Sequence, residues 1–362
     1  MIYLFLLITV VILAVLEFFW AHRSLDALES ESSADKILAE PDEIITWTAV
    51  VKNKSRMPIP FVRLTASFPV DATLHSEKAI YGTFSNVKIS RYPVEERLSL
   101  MPRQRAERRV RFSLPKRGQY TYAPYQLSSG DLLGFRETEK NGDAQSVVIM
   151  PERSKQQAAI DALGGFLGDV SVRRFILEDP ILTIGFRDYS GREPMKSISW
   201  TRSAVAGSLQ VKQFDHTAER HVVVLLNTEG ARDEILEECL RLTRTVCEKL
   251  EEKKIPYGFR TNGSVPGPVG KIFHMAEGLG QRHMNTILYG LGRADATCYY
   301  SFRYLAEMTL RYRSSNESYI VITPPLDLSS RATVRKMESV VGGSLCVLTA
   351  ETGEKEENSH VS

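Results

Sequence analysis

Few residues of this sequence sit at spacings that chemistry requires. His274 and His283 lie nine positions apart, not at the i, i+4 spacing of two metal ligands on one helical turn, and both read as surface loop residues. Gly263, Gly267 and Gly270 suggest a phosphate loop, but no Gly-Lys-Ser/Thr ending follows and two prolines remove amide donors, so a plain flexible loop is expected. Cys239, Cys247, Cys298 and Cys346 form no Cys-x-x-Cys pair, which points to small buried thiols in a reducing compartment instead of a zinc site or a disulfide framework. Neither they nor Ser344 has a sequence-local base, so nucleophilic catalysis has no support and no enzyme is expected.

Charge is more suggestive. Arg187, Asp188, Arg192, Glu193, Lys196 and Arg202 alternate in sign around Tyr189 and Trp200. That suits a polar network with aromatic packing that fixes one domain against another. Aromatics beside arginine also mark interface hot spots, so a partner-binding surface is the other reading. The run Arg103, Arg105, Arg108, Arg109, Arg111, Lys116 and Arg117 reads as the solvated outer face of a strand, with docking to anionic lipid or an acidic partner as the alternative.

The elements that must position these residues follow from composition and period. At 362 residues the chain exceeds one core, and a net charge of +2 gives no field that would attract nucleic acid. Residues 2–20 are apolar except for Glu17 and close on Phe18, Phe19 and Trp20, so residues 1–22 are expected to form a transmembrane anchor, not a cleaved signal. Basic residues on the downstream flank lean toward a cytoplasmic body. A linker is expected over 23–35. Over 36–150, short β-branched and aromatic stretches recur between turn signals, the pattern of an antiparallel β-sandwich. A connecting segment, 151–217, opens with flexible punctuation at Gly164, Gly165 and Gly168. Over 218–350, apolar strand runs alternate with amphipathic helices, which predicts a doubly wound α/β sheet, and 351–362 is a polar tail.

Within the connecting segment, Arg187, Tyr189, Gly191, Lys196, Ile198, Trp200, Ala204 and Lys212 resemble the signature of the bacterial family known as domain of unknown function 58. Upstream, Arg117, Gly118, Tyr120, Pro124, Asp131, Gly134 and Phe135 are similar to its Arg-x-Gly-x-Tyr and Asp-x-x-Gly pattern. One departure is that the acid usual after Gly191 is Arg192, with Glu193 displaced by one position. The C-terminal domain looks like the von Willebrand factor A type, whose first strand ordinarily ends in Asp-x-Ser-x-Ser and holds a divalent metal through oxygen ligands. The matching positions here are Asn227, Thr228, Glu229, Gly230 and Ala231, in which an amide replaces the carboxylate and both serines are missing. No cofactor is therefore expected, and a metal-dependent ligand-binding protein with a degenerate site is the alternative. The resemblance implies a membrane-anchored protein-interaction or scaffolding protein at the cell membrane, partnered by a MoxR-type AAA ATPase or a transglutaminase-like membrane protein.

Overall fold

This computed structural model describes residues 3, 5–9, 11, 26–75, 91–130, 137–174, 179–191, 193–215, 221–268, 270–314 and 316–351. The chain divides into two compact units, Met1–Glu152 and Arg153–Ser362. The transmembrane helix expected over residues 2–20 is not found: among the described residues, no helix is long and apolar enough to cross a membrane. Residues 3, 5–9 and 11 are helical, and the rest of that stretch lies outside the described residues. The single-pass placement at the cell membrane, and the cytoplasmic body inferred with it, lose their basis. The expected fold class, a transmembrane helix followed by an antiparallel β-sandwich and a doubly wound α/β domain, is corrected as well: the described residues form a mixed fold of several sheets and helices with no membrane-spanning helix among them.

The first unit contains β1 (Leu28–Ala34), β2 (Leu38–Ala39), β3 (Ile45–Asn53), β4 (Ile59–Pro69), β5 (Thr73–Leu74) and β6 (Arg91–Leu100). It continues with β7 (Arg105–Ser113), β8 (Gly118–Tyr122), β9 (Tyr125–Gly130), β10 (Glu137–Asn141) and β11 (Gln145–Ile149). These form three sheets in the orders β1-β3-β7-β5, β10-β9-β4-β6 and β2-β11-β8. The sequence alternation explains them: in β3, Ile45, Trp47, Ala49 and Val51 are buried while the residues between face outward, and Val110 and Phe112 do the same in β7. The outward positions of β7 carry Arg105, Arg109 and Arg111, where Arg109 pairs with Glu107 at 2.6 Å, while Arg108, half-buried on the other face, pairs with Glu96 at 2.6 Å. Residues expected as linker contain β1, paired antiparallel with β3 from Leu28↔Asn53 to Ala34↔Trp47. At the core, Phe68 meets Trp47 edge-on at 6.0 Å and Phe112 at 5.1 Å, and Phe112 meets Tyr122 at 4.9 Å. Asn53 is fully buried, and its amide donates to the carbonyls of Met57, Leu100 and Met101, binding two turns together.

The second unit begins with α1 (Gln157–Arg174). Glycine punctuation was expected here, but Leu163, Leu167 and Val170 recur at helical spacing and are buried, whereas added Cβ atoms at Gly164, Gly165 and Gly168 would meet nothing within 4 Å. Burial of one stripe outweighs the roughly 1 kcal/mol each glycine costs in a helix. There follow β12 (Asp179–Asp188), α2 (Trp200–Ala206), β13 (Gln210–Asp215), β14 (His221–Leu226), α3 (Asp233–Glu252) and β15 (Tyr257–Thr261). Next come β16 (Gly263–Ser264), β17 (Pro266–Gly267), β18 (Gly270–Lys271), β19 (His274–Gly278), α4 (Gln281–Arg293) and β20 (Asp295–Cys298). The unit closes with α5 (Phe302–Arg311), β21 (Glu317–Thr323), α6 (Leu328–Val341) and β22 (Leu345–Thr349).

Its main sheet has the order β19-β15-β14-β21-β22, with β15, β14, β21 and β22 parallel and β19 antiparallel at the edge. A strand buried on both faces must be apolar throughout, which is why Val222 to Leu226 are all buried. On one face Val223, Leu225, Tyr319 and Val321 pack with Phe302, Leu305 and Ala306 of α5 and Val334 and Met337 of α6. The stretch expected as a plain loop after β15 is instead folded into short pairs, β16 with β20 and β17 with β18, around a fully buried Val265.

The aromatic contacts of the first unit predict that Phe68→Ala lowers stability by about 3–5 kcal/mol, because its cavity opens among rings that cannot close in. Urea unfolding followed by near-UV circular dichroism measures this, and an unchanged midpoint would refute the central role of Phe68.

Candidate functional site

The carboxyl ends of β14, β15 and β21 converge where the chain order of the sheet reverses, the topologically favoured place for a ligand in an open α/β sheet. Asn227 follows β14, Asn262 follows β15 and Thr323 ends β21, and all three are buried. The Asn227 side-chain amide donates to Thr323 Oγ1 at 3.0 Å, while its oxygen accepts from Asn262 Nδ2 at 2.8 Å and from the Glu229 backbone N–H at 3.0 Å. The Asn262 oxygen accepts from the Thr228 backbone N–H at 2.9 Å. Glu229 turns away from this knot, and its carboxylate accepts the Phe302 backbone N–H at 2.6 Å, at the first residue of α5. There it satisfies an amide donor left open by the helix and opposes the positive end of the helix dipole.

These residues do not fit the divalent metal that the family resemblance would place there. A hard cation needs charged or free oxygen ligands, whereas the Asn227 oxygen is committed to two donors and Glu229 to a helix terminus. Among the described residues, no group of three or more His, Cys, Asp or Glu side chains is placed to hold a metal. Gly263 closes the knot from below: a Cβ there would lie 2.5 Å from Thr228 Oγ1. Nearby, Cys298 donates to the Tyr300 carbonyl, and partial burial pushes its thiol up despite a hydrogen bond from Thr228 that favours the thiolate.

The signature residues lie elsewhere in this unit, on a two-stranded sheet of β12 and β13 with α2 beside it. Arg187 pairs in register with Val211, and Phe186 with Lys212, so Arg187 and Lys212 point to opposite faces. Arg187 reaches Glu193 at 2.7 Å, and Ser190 donates to the same carboxylate at 2.7 Å. These contacts, the Ser190 hydroxyl first, hold the Glu193 carboxyl down at about 2. Gly191 makes the turn between them at φ 85°, a left-handed conformation suited to glycine. Tyr189 is half-buried and its backbone N–H donates to Leu209 O at 2.8 Å. Arg202 sits over the Phe186 ring at 5.1 Å. Lys196, Ala204 and Lys212 are exposed, and Trp200 is 60% exposed, so the indole is not used as packing within this unit. Residue 192 and the upstream positions Asp131, Gly134 and Phe135 lie outside the described residues.

The two histidines are not the loop residues expected from spacing. His283 stands on α4, edge-on to the Tyr257 ring at 4.8 Å, and His274 opens β19 directly opposite Arg260. Arg260, Phe273, Tyr300, Tyr304 and Met308 gather around one cleft that spacing alone did not reveal. The available signal was the four-residue interval of Tyr304, Met308 and Tyr312, a stripe along one face of α5 to its C-terminal end.

No known family profile matches this sequence, and no curated protein matches it. Among solved structures, the CARDB domain of the PF1109 protein from Pyrococcus furiosus is 11% identical over 34% of this chain and 86% of its own, with a TM-score of 0.23. The sporulation control protein Spo0M from Bacillus subtilis is 15% identical over 45% of this chain and 58% of its own, with a TM-score of 0.21. The ApaA protein from Bordetella pertussis is 12% identical over 34% of this chain and 93% of its own, with a TM-score of 0.23. Likeness at this level carries no inference about fold or role.

Two outcomes are expected. Gly263→Ala destabilises the chain by about 1–3 kcal/mol through overpacking against Thr228, and adding Thr228→Ala recovers part of the loss in thermal unfolding. If the single and double variants melt alike, the close approach is not what constrains position 263. Glu193 has a folded pKa below its ordinary 4.5, so the stability it contributes is present above that value and is lost as pH falls toward about 2. Carboxyl-detected NMR titration should place its midpoint near 2 and move it upward in Ser190→Ala; a midpoint near 4.5 in the parent chain would contradict these contacts.

Proposed function

We propose that this chain is a protein-interaction module, not a catalyst, and that it meets its partner through the segment around β12, α2 and β13. One observation carries the reading: Phe186, Met195, Trp200, Val205 and Leu209 are all exposed within a short stretch that also exposes Lys196, Arg202 and Lys212. Exposed apolar side chains among cations are unfavourable in water, and burial against a complementary surface lowers the free energy. Tryptophan, methionine and arginine are enriched where interfaces bind most strongly. The matching partner surface is apolar at its centre and acidic at its rim.

The resemblance of Arg187, Tyr189, Gly191, Trp200 and Lys212 to the domain of unknown function 58 signature supports a MoxR-type AAA ATPase as that partner, with a transglutaminase-like protein as the other class the resemblance implies. The knot around Asn227 serves this reading as a rigid support for the unit, with no metal required for binding.

Trp200 is exposed, so Trp200→Ala combined with Met195→Ala should leave the melting temperature unchanged. Biolayer interferometry against a purified MoxR-type ATPase from the same organism should show saturable binding by the parent chain. Loss of a hot-spot residue costs about 2 kcal/mol or more, so the double variant should bind at least roughly thirtyfold more weakly. No binding by the parent chain would sink the ATPase as partner. Equal binding by parent and variant would move the interface away from this segment.

A further inference from the structure

The face of the main sheet that α5 and α6 cover is covered only in part. Arg260 of β15 lies beside Leu225 of β14 in register and opposite His274 of β19, so all three project to the α5 side. Leu225 is packed against the helices, but beyond it a cleft of about 560 Å³ stays open between β15, β19 and α5. Its walls are aromatic. Phe273 and Tyr300 stand with ring centres 6.1 Å apart, Tyr300 meets Tyr304 edge-on at 5.3 Å, and Tyr312 extends the wall at the C-terminal end of α5. The Tyr300 hydroxyl donates to the Thr261 carbonyl, which fixes the ring at the rim.

Two polar groups in this cleft lack partners. Arg260 is half-buried, yet among the described residues its side chain makes no ion pair or hydrogen bond, whereas the buried Arg244 is paired with Glu248 at 2.9 Å. Thr309 is 1% exposed, and its hydroxyl, buried along the same lining, has no hydrogen-bond partner. A partly dry guanidinium favours a planar carboxylate that accepts two parallel N–H bonds, and a buried hydroxyl without a partner favours an incoming polar atom. Among the described lining residues Arg260 is the one permanently charged side chain, and partial burial with the neighbouring guanidinium keeps His274 below the usual imidazole range. A single positive charge matches a monoanion better than a polyphosphate.

We propose that this cleft binds a small aromatic monocarboxylate, with the carboxylate on Arg260, the ring among Phe273, Tyr300, Tyr304 and Tyr312, and the Thr309 hydroxyl as a second polar contact. The volume lies within the roughly 300–1,000 Å³ of small-molecule sites, and aromatic walls favour an aromatic ring through edge-on and offset contacts. The site shares no residue with the proposed partner surface, so Trp200→Ala should bind such ligands as the parent chain does.

Isothermal titration of the full chain with phenylacetate and indoleacetate, beside phenylacetamide and acetate, tests the assignment. Saturable binding of the aryl acids is expected, with the amide and acetate at least about tenfold weaker because each lacks half of the recognition. Arg260→Gln should weaken the aryl acids by about tenfold or more, and Thr309→Val should weaken them severalfold. Tyr304 is half-exposed, so Tyr304→Ala gives a variant that keeps its fold if Arg260→Gln does not, and it should also weaken binding. Acid and amide binding equally, Arg260→Gln binding as the parent does, or no saturation by either acid at millimolar concentration would each overturn the proposal.

Discussion

Three parallel strands of the second unit end in buried polar groups that water cannot reach, and the arrangement around them follows from the need to satisfy those groups from within. Asn227, Asn262 and Thr323 do so reciprocally, each amide or hydroxyl meeting one from a neighbouring strand. A neutral amide can both donate and accept, so it links strands on two sides at once; a carboxylate at position 227 could only accept and would bring a buried charge needing a counter-ion. The same knot sends the Glu229 backbone inward and its carboxylate out to the start of α5, which fixes where that helix begins. The cleft beside α5 is thus placed by a polar contact at the strand ends as much as by apolar packing.

The two units use different rules to hide their backbones. In the first, strands have one buried and one outward face, so the sequence alternates and the outward face tolerates a dense run of arginines once glutamates stand among them. In the second, the central strand is covered on both sides and cannot alternate; polar residues appear only where it ends. Buried polar groups in both units act as clasps: Asn53 ties turns, and Ser154 with Thr245 and Glu238 ties the entering chain to α3. Each works because every donor and acceptor it brings is matched.

The segment from β12 to β13 is the exception to this economy. It forms a two-stranded sheet with a seven-residue helix and leaves Trp200, Met195 and Val205 in water, while Glu193 takes its contacts from Arg187 and Ser190 a few residues away. Two strands and one short helix bury little area, so such a segment gains more from an outside surface than from itself.

Much was determined by the sequence alone. The apolar run at 221–226, the i, i+3, i+4 stripe of α3 and the alternation of β3 and β7 are written in local period, because burial on one face, or on two, dictates residue type directly. Other features were decided only by tertiary structure. Residues 2–20 carry the composition of a membrane span, yet among the described residues no helix is long and apolar enough to cross a membrane. α1 runs through three glycines because Leu163, Leu167 and Val170 find a surface to cover, and a surface is not a local property. β1 is polar enough to read as linker and is a strand because β3 offers it an edge. Asn227 looked like a damaged metal ligand until Asn262 and Thr323, 35 and 96 positions away, completed its hydrogen bonds. Arg260, Phe273, Tyr300 and Thr309 come from separate elements and share no spacing, so the cleft exists only once the sheet order brings β15, β19 and α5 together. Local period records how each element is buried; it carries no information about which polar groups from distant elements meet, and that meeting is what makes a site.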